Sequence, residues 1–319
     1  MVTTSHDVAR GAGVSRSTVS EILNGRGHKF ATATREKVEQ VARELGYQPS
    51  AAARTLVRGT SDLVIALIPD TTFGGNLQDI FERATEELAQ HGLTLVLRLA
   101  THSPQSFDRL ISSLNPRGVL SLTPFTAQER QILQTRGVEF FDPVPPADHH
   151  SVDYDIGRLQ ASHLISRGHT RLAYAHLSDT RQDPFGADRE QGVRDECRDH
   201  NLPTPLTLKL GINREEALAA LDSMGQAPFA IACYNDDVAT ALVAAAQLRG
   251  RTIPHDVALI GVDNTPLSQI MIPQLSTIGY PIGGAAHAAI ANIIANTTTN
   301  NHTPNNHTIP LHIIHGETT

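Results

Sequence analysis

Cysteine is nearly missing from this chain, and no apolar run is long enough to cross a membrane. Among 319 residues only Cys197 and Cys233 carry thiols, far apart and without metal-ligand spacing. That excludes a disulfide framework and a zinc site and makes a reducing compartment the expectation. No stretch approaches the roughly 18 apolar residues that a spanning helix needs. The opening Met1-Val2-Thr3-Thr4-Ser5-His6-Asp7 lacks the basic-then-apolar pattern of an export signal. A soluble, cytoplasmic protein with no membrane partner is therefore expected. Gly-rich phosphate loops and G-x-S-x-G nucleophile elbows are absent too, and His149-His150 lacks ligand spacing. No enzyme activity, metal or cofactor is expected.

What is present is unevenly charged. The net charge is −7, yet residues 1–60 hold nine Lys/Arg against five Asp/Glu, a net of +4 that leaves −11 on the remainder. A basic head on an acidic body is what attraction to a phosphate backbone predicts for a DNA-binding module joined to something else.

Within that head, Val8 and Ala12 lie one helical turn apart, Gly13 supplies a turn, and Ser15 is a candidate N-cap. The second helix is expected to run to about Leu23 and end at Asn24-Gly25. Val19, Ile22 and Leu23 would face inward, with Arg16, Ser17, Ser20 and Glu21 outward. Val38, Val41, Ala42 and Leu45 fall at helical spacing in a third helix from Thr34, stopped by Gly46. Two short helices about a tight turn form a helix-turn-helix, whose second helix enters the major groove.

Beyond residue 60 strand and helix signals alternate. Strands are expected at Leu63–Ile68, Leu93–Leu99, Gly118–Leu122, Val138–Phe141, Arg171–His176, Phe229–Cys233, Val257–Val262 and Ser276–Ile278, with a last one at Thr308–Ile314. Helices between them include 77–91 and Ile156–Arg167, the latter with Ile156, Leu159, His163 and Leu164 on one stripe. The alternation implies α/β architecture with parallel sheets, and so many strands imply two lobes. The polar stretch Asn296–Asn306 reads as a loop.

These motifs resemble the lactose-repressor/galactose-repressor (LacI/GalR) family of bacterial transcription regulators. The head carries the resemblance in Asp7-Val8-Ala9, Ala12-Gly13-Val14-Ser15, Thr18-Val19-Ser20, Leu23-Asn24-Gly25, Thr34-Arg35, Leu45-Gly46-Tyr47 and Pro49. The body carries it in Ile68-Pro69-Asp70, His163-Leu164, Gly168-His169, Arg189 with Gly192, Asn235-Asp236, Ile260-Gly261-Val262-Asp263 and Pro273–Ile278. It implies a helix-turn-helix head over 1–46, a hinge helix over 47–59, and a two-lobed, periplasmic-binding-protein-like effector and dimerisation domain over 60–319. The sequence departs from the family at Glu21, where Arg is common, and at Gly75-Asn76, which replaces an aromatic pair. His315-Gly316 likewise stands where an Arg is usual.

Base reading falls to Arg16, Ser17 and Glu21 by spacing and resemblance. Arg suits guanine O6/N7 and Glu accepts from cytosine N4. Glu21 has a second reading, an internal ion pair with Arg16 or Arg26. Ser15, Thr18, Ser20, Asn24 and Arg35 are placed for phosphates, which fix register. The resemblance gives the stretch around Ala53 and Leu56 a hinge role, with Leu56 wedged into the minor groove when the helix forms on DNA. For a small effector the candidates are Arg189, Asn235 and Asp263, then Asp70, Phe73 and Asn76. Asn235 also reads as a helix cap.

The expected function is a sequence-specific repressor, a homodimer on double-stranded palindromic operator DNA, released by a sugar-like effector. A corepressor-dependent regulator and a small-molecule binding protein without DNA function are the alternatives.

Overall fold

The computed structural model describes residues 3–47, 55, 59–69, 75–100, 103–142, 150–179, 183–226, 228–280, 290, 293 and 310–319. Ala53, Leu56, Asp70 and Phe73 lie outside these residues, as does nearly all of the expected hinge.

The head holds helices α1 (Ser5–Ala12), α2 (Arg16–Glu21) and α3 (Thr32–Glu44). Gly13 takes a left-handed φ of 69°, which an L side chain disfavours. It lets the chain fold back from α1, so that the Val14 N–H reaches the Ala9 carbonyl at 3.1 Å. Val8, Ala12, Val19, Ile22, Val38 and Ala42 close the core. Two expectations change. After α2 the helix widens into a π turn over Ile22–Arg26 and then a 3-10 turn over Gly27–Lys29. Leu45 leaves the core and is 42% exposed, because α3 has already ended at Glu44.

The body has two sheets. In the first, β1 (Leu63–Ile68), β2 (Thr94–Leu99), β3 (Gly118–Ser121) and β4 (Glu139–Phe141) take the order β2-β1-β3-β4, all parallel. Helices α4 (Gly75–Gln90), α5 (Pro104–Leu114) and α6 (Ala127–Arg136) connect them.

The second lobe begins with α7 (Val152–Ser166), β5 (Leu172–Leu177), α8 (Gly186–Asp199), β6 (Leu206–Leu210), α9 (Arg214–Ser223) and β7 (Phe229–Cys233). It continues through α10 (Asp236–Leu248), β8 (Val257–Val262), α11 (Pro266–Ile270) and β9 (Ser276–Gly279) to β10 (His312–Ile314). Its order is β10-β9-β8-β7-β5-β6. All pairs are parallel except β10 on β9, an antiparallel edge.

β5, β7 and β8 are buried on both faces, as strands covered by helices must be. Ala173, Ala175 and Leu177 pack with α9 and α10 residues, and Leu172 and Tyr174 with Ile156, Leu164 and Val193 of α7 and α8. The chain passes between lobes more than once. Ile290 and Ile293, which follow β9, are buried with Val64, Ala84 and Leu88 of the first lobe. The last residues then return to the second lobe, where the Leu259 N–H donates to the Thr318 carbonyl at 2.8 Å.

Candidate functional site

The first candidate surface is the outer face of α2. Ser15 caps the helix by accepting from the Thr18 N–H at 3.1 Å, and its hydroxyl also lies 2.7 Å from Ser17 and 2.8 Å from Thr18. Such a cap satisfies an otherwise orphaned donor and stabilises a helix by about 1 kcal/mol, which matters for a helix this short. With Val19 and Ile22 turned inward, Arg16, Ser17 and Ser20 are left exposed.

Glu21 is half-buried, and neither it nor Arg16 forms an ion pair among the described residues. The Glu21–Arg16 pair of the second reading is therefore not made. The alternative with Arg26 concerns a side chain outside the description. Asn24 donates to Ser20 Oγ at 3.2 Å and Thr18 is half-buried. Arg35 lies along Gly27, where a Cβ would come within 3.1 Å of its Cδ.

The second candidate lies at the carboxyl ends of the second sheet's parallel strands, where α/β folds place ligands. Arg189 sits one turn into α8, only 4% exposed. Its Nε and Nη2 both reach Asp153 Oδ1 at 2.8 Å, and its Nη1 donates to the Tyr234 carbonyl oxygen at 2.5 Å. Phe185 and Tyr234 present their rings at 5.6 and 5.1 Å from the guanidinium carbon. Burial works against its charge, and the Asp153 carboxylate more than restores it, so the guanidinium stays protonated.

Two glycines make this pair possible. A Cβ on Gly157 would come within 1.9 Å of the Arg189 carbonyl oxygen, and one on Gly192 within 2.2 Å of that of Tyr154. Helices α7 and α8 thus touch backbone to backbone, which brings Asp153 to Arg189.

Asn235 follows β7 and is buried. Its Oδ1 accepts from the Val238 N–H at 3.0 Å, so the cap role is real. Asp263 follows β8 with φ 103°, a strained setting for a residue with a Cβ. Such strain concentrates at ligand-binding sites. Its Oδ1 accepts from the Tyr280 hydroxyl at 3.2 Å. Burial first, then the Asp263 charge, keeps that phenol protonated.

Asp236 holds the floor of this edge. It accepts from the Thr265 N–H at 2.7 Å and from Thr277 Oγ1 at 2.6 Å, and burial raises its carboxyl to about 6. Arg189, Asn235 and Asp263 therefore meet at one edge of one sheet. Asn76 falls in the first turn of α4 in the other lobe. Asp153, Tyr234 and Tyr280 escape sequence reasoning. The available signal for Asp153 was the Gly157–Gly192 pair, which demands close helices.

Residues 4–50 match the pattern of bacterial regulatory proteins of the lacI family, and residues 161–319 match a periplasmic binding protein-like domain. The transcriptional regulator DegA of Bacillus subtilis is 30% identical over 305 residues, covering 88% of each chain. The regulator GalR of Salmonella typhimurium is 30% identical over 86% of this chain and 84% of its own. Among solved structures, a lac repressor dimer bound to operator and anti-inducer aligns with a TM-score of 0.77 at 20% identity, over 100% of this chain and 99% of that one. A CelR–cellobiose complex aligns with a TM-score of 0.64 at 22% identity, over 99% of this chain and 100% of that one. These two show the fold, a helix-turn-helix head on a two-lobed α/β body. At 30% identity across nearly nine-tenths of DegA, with the family's head pattern at residues 4–50, the chain belongs to the lacI family of DNA-binding transcriptional regulators.

Proposed function

We propose that this regulator is a dimeric repressor, not an enzyme, that acts in the cytoplasm and leaves a palindromic operator when a small polyhydroxylated effector binds at the second sheet's strand ends. The union of two features carries the reading. One is a Ser15-capped α2 with Arg16 and Ser17 outward; the other is the buried Arg189–Asp153 pair beside Asp263. Arg16, Ser17 and Glu21 read bases, while Ser15, Thr18, Ser20, Asn24 and Arg35 hold phosphates. Residues 1–46 form the head, 47–59 the hinge with Ala53 and Leu56, and 60–319 the effector and dimerisation domain.

Arg189 has five N–H groups and, among the described residues, uses three on Asp153 and Tyr234; the other two are offered to a ligand. Asn235 and Asp263 complete the polar set from the second lobe, and Asp70, Phe73 and Asn76 are the candidates from the first. An effector touching both lobes favours one closure over another and so shifts the population of DNA-competent dimers.

Dimerisation is supported by apolar surface. Leu97 and Leu99 on the edge strand β2 are 46% and 65% exposed, and Leu267, Ile270 and Ile272 are 52%, 76% and 84% exposed. The loop holding Ile272 is fixed to α10 by Gln247, which donates to the Ile272 carbonyl at 2.8 Å. A helix-turn-helix reads one half-site, so two-fold symmetry supplies the second. A thermal-shift screen of sugars, followed by operator binding with and without the sugar that raises Tm, tests the reading.

A further inference from the structure

Buried polar groups not yet assigned a role gather where β5 ends. The His176 ring has a carboxylate at each nitrogen: Nδ1 lies 2.5 Å from Asp183 Oδ2 and Nε2 lies 3.1 Å from Glu190 Oε2. A carboxylate only accepts, so both ring nitrogens carry hydrogen and the ring is an imidazolium. Burial opposes that charge, while Asp183 and then Glu190 outweigh it and raise the imidazole above its ordinary value. Glu190 is further held by Arg194 at 2.6 Å and Thr207 at 2.5 Å. Asp183 is not held in this way. Its side chain is 7% exposed, and Oδ1 is buried without a hydrogen-bond partner among the described residues.

An orphaned buried acceptor is costly and calls for an explanation. Asp183 lies against the start of α8, where a Cβ on Gly186 would meet its Oδ1 at 2.1 Å. The next residues, Phe185 and Arg189, already belong to the candidate effector site. Tyr174 stands edge-on to His176, ring centroids 4.6 Å apart, and its buried hydroxyl likewise lacks a described partner. Arg189, Asp183 and Asp153 all lie within electrostatic reach of that hydroxyl. An unused acceptor and an unused donor thus flank one imidazolium beside Arg189.

We propose that Asp183 determines effector specificity by accepting a hydrogen bond from a ligand hydroxyl or ammonium, and that His176 is the positioning residue that aims it. The proposal rests on the effector reading above and narrows the ligand to neutral or cationic polyhydroxy compounds. A phosphate or carboxylate presented to Asp183 Oδ1 meets lone pairs against lone pairs. The neighbouring charges do not offset this. Arg189 is matched by Asp153, Arg194 by Glu190, and His176 by Asp183 itself, while Asp263 adds a further carboxylate. Lys209, opposite His176 on β6, is exposed to solvent.

Positioning by a charged imidazole makes effector affinity depend on pH. As pH rises through the raised His176 value, one ring nitrogen stops donating and either Asp183 or Glu190 loses its partner. Affinity then falls on the alkaline side.

The test is isothermal titration of the full-length protein between pH 6 and 9 with cellobiose, glucose and ribose, with glucosamine, and with glucose 6-phosphate and gluconate. Asp183→Asn, His176→Gln and Arg189→Ala are compared after circular dichroism confirms their folds. A neutral or amino sugar is expected to bind wild type, to bind Asp183→Asn at least tenfold more weakly, and to bind less at alkaline pH. His176→Gln should bind weakly with a flat pH profile. Binding lost in Arg189→Ala but intact in Asp183→Asn overturns this inference and leaves the effector reading standing. Binding unchanged in both variants overturns the two together. Binding confined to glucose 6-phosphate or gluconate, or no binding by any neutral or amino sugar, overturns the assignment of Asp183.

Discussion

Two nitrogens of Arg189 grip the same oxygen of Asp153 at 2.8 Å, across the contact between α7 and α8. Asp153 and the Tyr234 carbonyl together fix the guanidinium in direction, so little ordering of that side chain is left for binding to accomplish. Removing one partner leaves the other charge buried and uncompensated. Asp153→Ala is expected to lower unfolding stability by about 3–5 kcal/mol. Urea denaturation monitored by fluorescence checks this, and a loss below about 1 kcal/mol would mean that the pair is solvated rather than buried.

Glu21 stands free of Arg16, which favours a direct role on DNA. Glu21→Arg should change the preferred base at one symmetric operator position by about 1–3 kcal/mol. It should also steepen the salt dependence of binding, because each head gains two positive charges. Binding-site selection with both proteins decides the matter; the same consensus from each would remove Glu21 from the readout.

Dimerisation through the exposed apolar surface is tested by placing charge on it. Ile272→Asp and Leu99→Asp should each raise the dimer dissociation constant by at least about tenfold, since every ~1.4 kcal/mol is a factor of ten. Light scattering at micromolar concentration should show a dimer for the parent and monomer for the variants. An unchanged dimer in both variants would place the interface elsewhere.

His163 gives the fold a pH dependence. Its Nε2 lies 2.8 Å from Thr319 Oγ1, and burial, then the nearby His315 and Arg167, lower its imidazole to about 4. In the unfolded chain it titrates near 6.5. The unfolded state therefore takes up this proton first, and stability falls as pH drops from about 6.5 towards 4. The group is partly screened by solvent, so the loss is about 1–3 kcal/mol. Melting curves of the parent should shift down across that window, and those of His163→Gln should shift less.

Much of this was legible in the residues. Leu63–Ile68, Phe229–Cys233 and Val257–Val262 are continuous apolar runs, and they form the strands expected of them because helices cover both faces. β6 escaped notice. Its Leu206, Leu208 and Leu210 alternate with Thr207 and Lys209, and Leu206 is 44% exposed, the weak signature of an edge strand. β10 falls inside the expected last strand, Thr308–Ile314, but is only three residues long, and its antiparallel pairing on β9 has no local signal. At the candidate site, Arg189, Asn235 and Asp263 follow from motif and strand position. Asp153 and Tyr280 do not, since their roles arise from contacts across 36 and 17 residues of chain.

The central claim is that a ligand at the strand ends of the second lobe controls how the head holds DNA. Fluorescence anisotropy on the operator recovered by selection tests it, with the sugar that raises Tm added at saturation. Operator affinity of the parent should weaken by about 5–150-fold, the coupling of 1–3 kcal/mol common to allosteric proteins, while Arg189→Ala should hold operator equally with and without the sugar. An affinity unchanged or tightened by the sugar in the parent, or an undiminished response in Arg189→Ala, would contradict the account.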